Sequence, residues 1–443
     1  MERSLPSPAS RSGALGTFPA PEHALEPRLR GMKPSATLAI QERCSKLAAE
    51  GRAVYKLGLG QSPFPVPTCV VEALRAHAAE KDYLPVRGLP QLRAAVAQYH
   101  RYRHGIRSTA EDVLVGPGSK ELMFLLQVVF RGELVLPSPS WVSYEPQARI
   151  LGQRVRRIPT DPSREFRITP EQIDELCQRE PGLPRILILN YPSNPTGCSY
   201  DARELEALAA VLRRHGVVVL SDEIYGELEF DGRHTSIARF YEEGTIVASG
   251  LSKWCGAGGW RLGTFTFPAQ LGWLLDAMAV VASETYSATS APIQYAAVRA
   301  FQGGDEIETY LRRSRRILAA VCGAFRDALV AEGVLCRPAT GGFYLFPSLD
   351  PLAERLARRG ISTSPELCAR ILDEASVATL PGSDFGVPED RLFLRVALVN
   401  FDGARALSAL ADDRPVDADF LRDHCAPTMR AMDAIVDWIR RAV

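Results

Sequence analysis

Residues 249–263 read S-G-L-S-K-W-C-G-A-G-G-W-R-L-G, and no other run constrains this chain as tightly. One lysine, Lys253, stands among small residues, and Arg261 follows it across a glycine-rich turn. Ile246 and Val247 lead in, which predicts that the run leaves a buried strand. Gly256, Gly258 and Gly259 permit backbone angles and close approaches that other residues resist. A lysine in such a loop can be a plain solvated charge. Held against a desolvated site, its amine becomes a nucleophile towards carbonyl carbon. An arginine nearby can grip two oxygens of a phosphate with its planar fork. A carbonyl-linked lysine beside a phosphate-binding arginine suggests pyridoxal 5'-phosphate.

The bulk properties narrow the classes of function. The chain has 443 residues and a formal net charge of zero. That length supports one large or two medium domains with substantial cores. The balanced charge gives no basic excess for nucleic acid or an anionic membrane surface, and no stretch is long and apolar enough to be a membrane span. The nine cysteines are scattered with no C-x-x-C pair, so neither a zinc site nor a disulfide framework is indicated. Free thiols in a reducing cytoplasm are the expectation. Cys255, two residues from Lys253, is either a small packing residue or a reactive thiol.

The words around Lys253 closely resemble the lysine-attachment motif of class I/II aminotransferases, the fold-type I enzymes that use pyridoxal phosphate. Further words of that family follow in order along residues 33–443. Residues 58–67, G-L-G-Q-S-P-F-P-V-P, are too proline-rich to continue a helix or a central strand. The resemblance puts the Gly60 amide near the substrate carboxylate. Residues 83–93, Y-L-P-V-R-G-L-P-Q-L-R, match a segment whose tyrosine reaches the cofactor phosphate of a neighbouring subunit. Tyr83 therefore implies a homodimer with shared active sites, against the plainer reading of a half-buried aromatic. A strand at 113–117 runs into G-S-K and a long apolar helix, so free N–H groups and the helix dipole face any incoming anion. In the family this position cradles the phosphate, which implicates Gly118, Ser119 and Lys120. Trp141 follows a short strand and is either core or a stacking partner for the cofactor ring. There is no G-x-G-x-x-G after a first strand, so a dinucleotide site is not supported.

Residues 185–190 form a β-run that ends in N-Y-P-S-N-P-T-G, and Asn and Pro there are strong turn formers. The resemblance makes Asn194 a donor to the pyridine 3-oxygen. Residues 217–220 are a second buried run, followed by S-D-E-I-Y-G-E-L. A carboxylate at the end of a buried strand is costly unless it is paired. For Asp222 the implied partner is the protonated pyridine nitrogen, with Tyr225 donating to the 3-oxygen. Arg395 sits mid-strand among apolar neighbours, where an arginine needs an acidic partner. The alternatives are a structural ion pair and a clamp for the substrate α-carboxylate. One departure is local: many relatives carry serine three residues before the lysine, and here that position is Gly250, so Ser252 is the remaining hydroxyl for a phosphate contact.

Strands alternating with helices predict an α/β fold, with a mainly parallel sheet in a large domain over residues 71–329. Residues 32–70 and 330–443 are expected to form a smaller α+β domain, and residues 1–31 a mobile arm. Helices are predicted at 38–50, 70–81, 92–99, 203–215, over most of 271–299 and at 307–329, and strands at 54–59, 334–349 and 391–399. The implied activity is transfer of an amino group from an α-amino acid to a 2-oxo acid through a Lys253 Schiff base, by ping-pong kinetics. A second reading keeps the fold and changes the outcome: a lyase or carbon–carbon bond-forming enzyme acting on S-adenosylmethionine, like 1-aminocyclopropane-1-carboxylate synthase. A third, a ligand-sensing domain of a transcription regulator, would need a DNA-binding helix-turn-helix, for which the proline-rich N-terminus offers no pattern.

Overall fold

The computed structural model describes residues 25–32, 34–410 and 414–442. Of these, residues 25–32 belong to one compact unit and the remainder to another. Most of the arm expected at 1–31 lies outside the described residues; Pro27–Leu29 is a single 3-10 turn.

The strands are β1 (Tyr55–Lys56), β2 (Val113–Gly116), β3 (Glu133–Ser138), β4 (Val155–Pro159), β5 (Arg185–Asn190), β6 (Val218–Asp222), β7 (Thr245–Gly250), β8 (Gly263–Thr266), β9 (Tyr344–Leu345), β10 (Val377–Ala378), β11 (Leu380–Pro381) and β12 (Leu394–Ala397). Seven of them form one sheet in the order β2-β8-β7-β6-β5-β3-β4. β8 runs antiparallel to both neighbours, and the remaining pairs are parallel.

The near-continuous apolar runs of the inner strands are what a sheet covered on both faces requires. Leu136, Ile188 and Leu220 pack with Leu122, Leu126, Leu274 and Met278 of the helices Ser119–Val129 and Gly272–Ser283. Their strand neighbours Val135, Leu187, Leu189 and Val219 point the other way, onto Ile173, Leu205, Leu208 and Leu212 of Pro170–Arg179 and Ala202–His215. The latter helix starts where a capping box fixes it, with Asp201 and Glu204 each bonding the other's backbone N–H.

Two small sheets lie apart from this one. β9, β12 and β11 form an antiparallel sheet with β12 in the centre, and β1 pairs with β10 in parallel. The strands expected at 54–59, 334–349 and 391–399 are each much shorter than their apolar runs. The helix predicted at 70–81 is Thr68–Ala76, because His77 takes up the chain end and stacks on Tyr295 at 4.7 Å. The long helix is Asp305–Ala331, as its spacing predicts.

Candidate active site

The run at 249–263 is the connection between two adjacent antiparallel strands. β7 ends and β8 begins with Gly250 opposite Gly263. A Cβ on Gly263 would lie 2.2 Å from the Ser119 amide nitrogen, and one on Gly250 would lie 2.7 Å from the Leu262 carbonyl oxygen. Glycine at 263 lets the start of β8 press against the start of helix Ser119–Val129, and glycine at 250 lets the end of β7 close against the start of β8. A serine at position 250 would not fit without a local shift.

That helix opens on Gly118, whose φ of 96° is left-handed, and no side chain caps it. Its first amides are therefore available to an anion. Arg261, itself left-handed at φ 54°, donates from Nη1 to the Gly258 carbonyl at 3.0 Å and from Nη2 to that of Pro117 at 3.3 Å. A Cβ on residue 118 would collide with this guanidinium at 2.1 Å. Lys120 Nζ lies 5.0 Å over the Trp141 ring. Burial lowers the Lys120 ammonium pKa, and the nearby charges of Arg261 and Lys253 lower it further. The contacts of Arg261, Lys120 and Lys253 are with backbone carbonyls and aromatic rings, Lys253 Nζ lying 5.6 Å over the Tyr225 ring and 5.8 Å over that of Phe343.

Lys253 lies three residues past β7 and donates from Nζ to the Gly60 carbonyl at 2.6 Å. The same carbon that would carry a Gly60 side chain faces Tyr344, whose Oη would stand 1.8 Å from a Cβ there.

Strand register assembles the acidic end of the site. Asp222 ends β6 opposite Asn190, the last residue of β5. Period-two alternation puts Asp222 on the face of Leu220, where Tyr144 also packs. The Tyr144 hydroxyl donates to Asp222 Oδ2 at 2.6 Å, and the Ile224 N–H to Oδ1 at 3.4 Å. Asn190 donates from Nδ2 to the Asp222 carbonyl at 2.9 Å and accepts the Asn194 N–H on Oδ1 at 2.8 Å. Asp222 is 4% exposed, and burial raises its pKa from 3.8 to about 6 despite the Tyr144 bond. Trp141 packs edge-on against Tyr144 at 5.1 Å between centroids.

Arg395 is 1% exposed at the centre of the small sheet. Instead of the acidic partner expected of a buried arginine, its Nη1 donates to Asn194 Oδ1 at 3.2 Å and its Nη2 to the Gly58 carbonyl. Its Nε is buried with no partner among the described residues. The guanidinium is sandwiched between the rings of Tyr344 and Phe385, at 4.8 and 5.1 Å.

These residues line one cavity of about 400 Å³. It brings together Gly60, Ser119, Lys120, Trp141, Asn194, Asp222, Tyr225, Ser252, Lys253, Arg261 and Arg395, with Gly118 beneath Arg261. Tyr83 does not join them: it is 94% exposed, so the half-buried reading fails. Cys255 is buried and its thiol is pushed up by burial, so it is a packing residue. Sequence reasoning missed Tyr144, Asn190 and Tyr344, and also Ser35 and Thr37 at the rim. Tyr144 closes the word P-S-W-V-S-Y, yet only the fold shows that it meets Asp222.

The residues fit pyridoxal 5'-phosphate. Uncapped amides and a free guanidinium face suit its phosphate, Trp141 offers a ring face, and Asp222 is a buried carboxylate without a cationic hydrogen-bond partner. Sheet topology and this constellation define a fold-type I pyridoxal phosphate enzyme.

Comparison with known proteins gives the family. Residues 52–406 match the model of aminotransferase class I and II, and the chain belongs to that family. It is 35% identical to the aspartate aminotransferase of Geobacillus stearothermophilus over 376 residues, which cover 83% of this chain and 93% of that protein. It is 32% identical to the aspartate/prephenate aminotransferase of Thermus thermophilus over 368 residues, 82% of this chain and 91% of the other. Among solved structures, Thermus thermophilus aspartate aminotransferase with maleate superposes with a TM-score of 0.79 at 27% identity, covering 95% of this chain and 99% of its own. The Pyrococcus horikoshii aromatic aminotransferase gives 0.74 at 26% identity, covering 90% and 100%. The chain is thus a pyridoxal phosphate-dependent aminotransferase acting on amino and 2-oxo acids. The relatives speak against the lyase or bond-forming alternative, because they are named for amino transfer. No helix among the described residues is long and apolar enough to cross a membrane.

Proposed function

We propose that the amino donor is a dicarboxylic α-amino acid and that Lys253 is the proton-transferring group. The observation that carries the donor class is a count of cations in one cavity. Besides Lys253 it holds Arg261, Arg395 and Lys120. Arg261, with the Gly118 and Ser119 end of the helix, suits the cofactor phosphate. Arg395 with its unpartnered Nε suits the substrate α-carboxylate. Lys120 is then one cation more than a monocarboxylic donor needs, and the hydroxyls of Ser35 and Thr37 share its cavity. The names of the aspartate aminotransferases, and the maleate of the Thermus structure, agree with a second carboxylate.

Bound pyridoxal phosphate supplies an electron sink conjugated to the substrate α-carbon. Asp222 keeps the ring nitrogen protonated, and Tyr144 orients Asp222. Asn194 and Tyr225 would hold the 3-oxygen, and Trp141 would stack on the ring. Arg395 holds the α-carboxylate and so fixes which bond of Cα is presented to Lys253. The amine of Lys253, withdrawn from the Gly60 carbonyl, takes the proton from Cα and acts next as the acid. Ser252 is a further hydroxyl on the phosphate side.

The active unit in this reading is a homodimer in the cytoplasm. Tyr83 at 94% exposure and the exposed apolar residues Trp273 and Val280 are surfaces that a second copy would cover. Residues 71–329 act as the cofactor-binding part, and 32–70 with 330–443 as the part that brings Gly60, Tyr344 and Arg395.

Lys120→Ala tests the donor class. Loss of a charge-assisted contact of about 1.5–3 kcal/mol lowers kcat/KM for aspartate roughly 10- to 100-fold. An apolar donor such as leucine should be little affected. An equal fall for both donors would remove Lys120 from substrate recognition.

A further inference from the structure

Tyr344 is not used by the chemistry described so far, yet it touches three parts of the site. It is 1% exposed on β9. Its Oη lies 2.9 Å from Tyr225 Oη. Ala397 is its partner across β9 and β12, so Tyr344 and Arg395, two residues before Ala397, share one face of that sheet. The Arg395 guanidinium accordingly lies over the Tyr344 ring at 4.8 Å. The space above Gly60 is filled by the same hydroxyl.

Counting protons makes the hydroxyl contact informative. Two phenols have two protons, and one of them lies in the contact between the oxygens. If Tyr225 donates to Tyr344, its only proton is committed and it has none for a ligand. If Tyr344 donates to Tyr225, the Tyr225 proton is free to point into the cavity. Burial holds the Tyr225 phenol far above its ordinary value, so it remains a neutral donor.

We propose that Tyr344 is a positioning residue whose hydroxyl donates to Tyr225 Oη, which frees and strengthens the Tyr225 proton for the 3-oxygen of the cofactor, while its ring supports Arg395. The relay rests on the assignment of Tyr225 to that oxygen. Chained hydrogen bonds polarise one another in the same sense, so the second phenol makes the first a better donor. One side chain thereby links the group that tunes the cofactor to the group that clamps the substrate.

The test is an absorbance–pH titration of the cofactor-loaded protein, which reads the proton on the nitrogen joining Lys253 to the cofactor. A donor on the 3-oxygen draws electron density from the conjugated system and lowers that nitrogen's affinity for its proton. Tyr225→Phe should therefore raise the titration midpoint. Tyr344→Phe keeps the ring and removes only the hydroxyl; it should raise the midpoint by less, and add nothing in the Tyr225→Phe background. It should also leave KM for the amino donor within about twofold, whereas Tyr344→Ala, which removes the ring beneath Arg395, should raise KM further. An unchanged or lowered midpoint in Tyr344→Phe, with the Tyr225→Phe rise intact, overturns the relay alone. No rise in Tyr225→Phe overturns the assignment of Tyr225, and the relay with it.

Discussion

Replacing Asp222 by asparagine should stabilise the cofactor-free protein and destabilise the loaded one. In the cofactor-free state the carboxyl is buried, and its pKa rises from 3.8 to about 6. A carboxyl with a raised folded pKa holds its proton more tightly folded than unfolded. Its contribution therefore favours folding in full below the unfolded value and is lost as pH rises through the folded one. The window is pH 3.8 to about 6, and the shift is worth about 3 kcal/mol. Asparagine does not titrate there and still offers an oxygen to the Tyr144 hydroxyl. Urea-unfolding midpoints of the cofactor-free proteins should separate as pH rises from 4 to 7, with the variant ending about 3 kcal/mol ahead. Buried His100 and His104, held down at about 3 and about 4, also titrate in the unfolded chain below pH 6.5, but they are common to both proteins. With cofactor the order reverses, because each tenfold loss of affinity removes about 1.4 kcal/mol of stabilisation. Parallel pH profiles for the two cofactor-free proteins would refute the electrostatic account of Asp222.

Other substitutions address the remaining roles. Lys253→Ala should abolish turnover, and borohydride should no longer fix the cofactor to the chain in a mass spectrum; retained turnover would dismiss Lys253 as the proton-transferring group. Arg395→Ala should lower kcat/KM about 100-fold or more, as expected when one partner of a buried charged pair is lost, with much of the effect in KM. Tyr83→Phe should loosen cofactor retention, and mixing it with Lys253→Ala subunits should regain part of the activity through hybrid dimers. A monomer by light scattering, with no recovery on mixing, would defeat the shared site.

Several polar residues that line the cavity were legible in the sequence because each stands in a distinctive local word. Lys253, Asp222, Asn194 and Arg261 line one cavity in the structure. Their supports were not legible, because those contacts depend on register and on distant parts of the chain. Tyr144 reaches Asp222 across 78 residues, and Tyr344 reaches Tyr225 across 119. The central sheet was visible as apolar runs between helices, whereas the small sheets were overestimated. A run such as 334–349 is apolar because it packs on several elements, yet only Tyr344–Leu345 forms a ladder. Arg395 shows the limit of a general rule. A buried arginine ought to find a carboxylate, and this one is held by an amide, a backbone carbonyl and two aromatic faces.

The most direct measurement is an absorbance titration of the cofactor-loaded protein with single amino acids and no acceptor. Aspartate or glutamate should convert the cofactor's band stoichiometrically to that of pyridoxamine phosphate, and a dicarboxylic 2-oxo acid should then restore it. A band that no α-amino acid converts, or product release that leaves the cofactor without the amino group, would contradict transamination by this site.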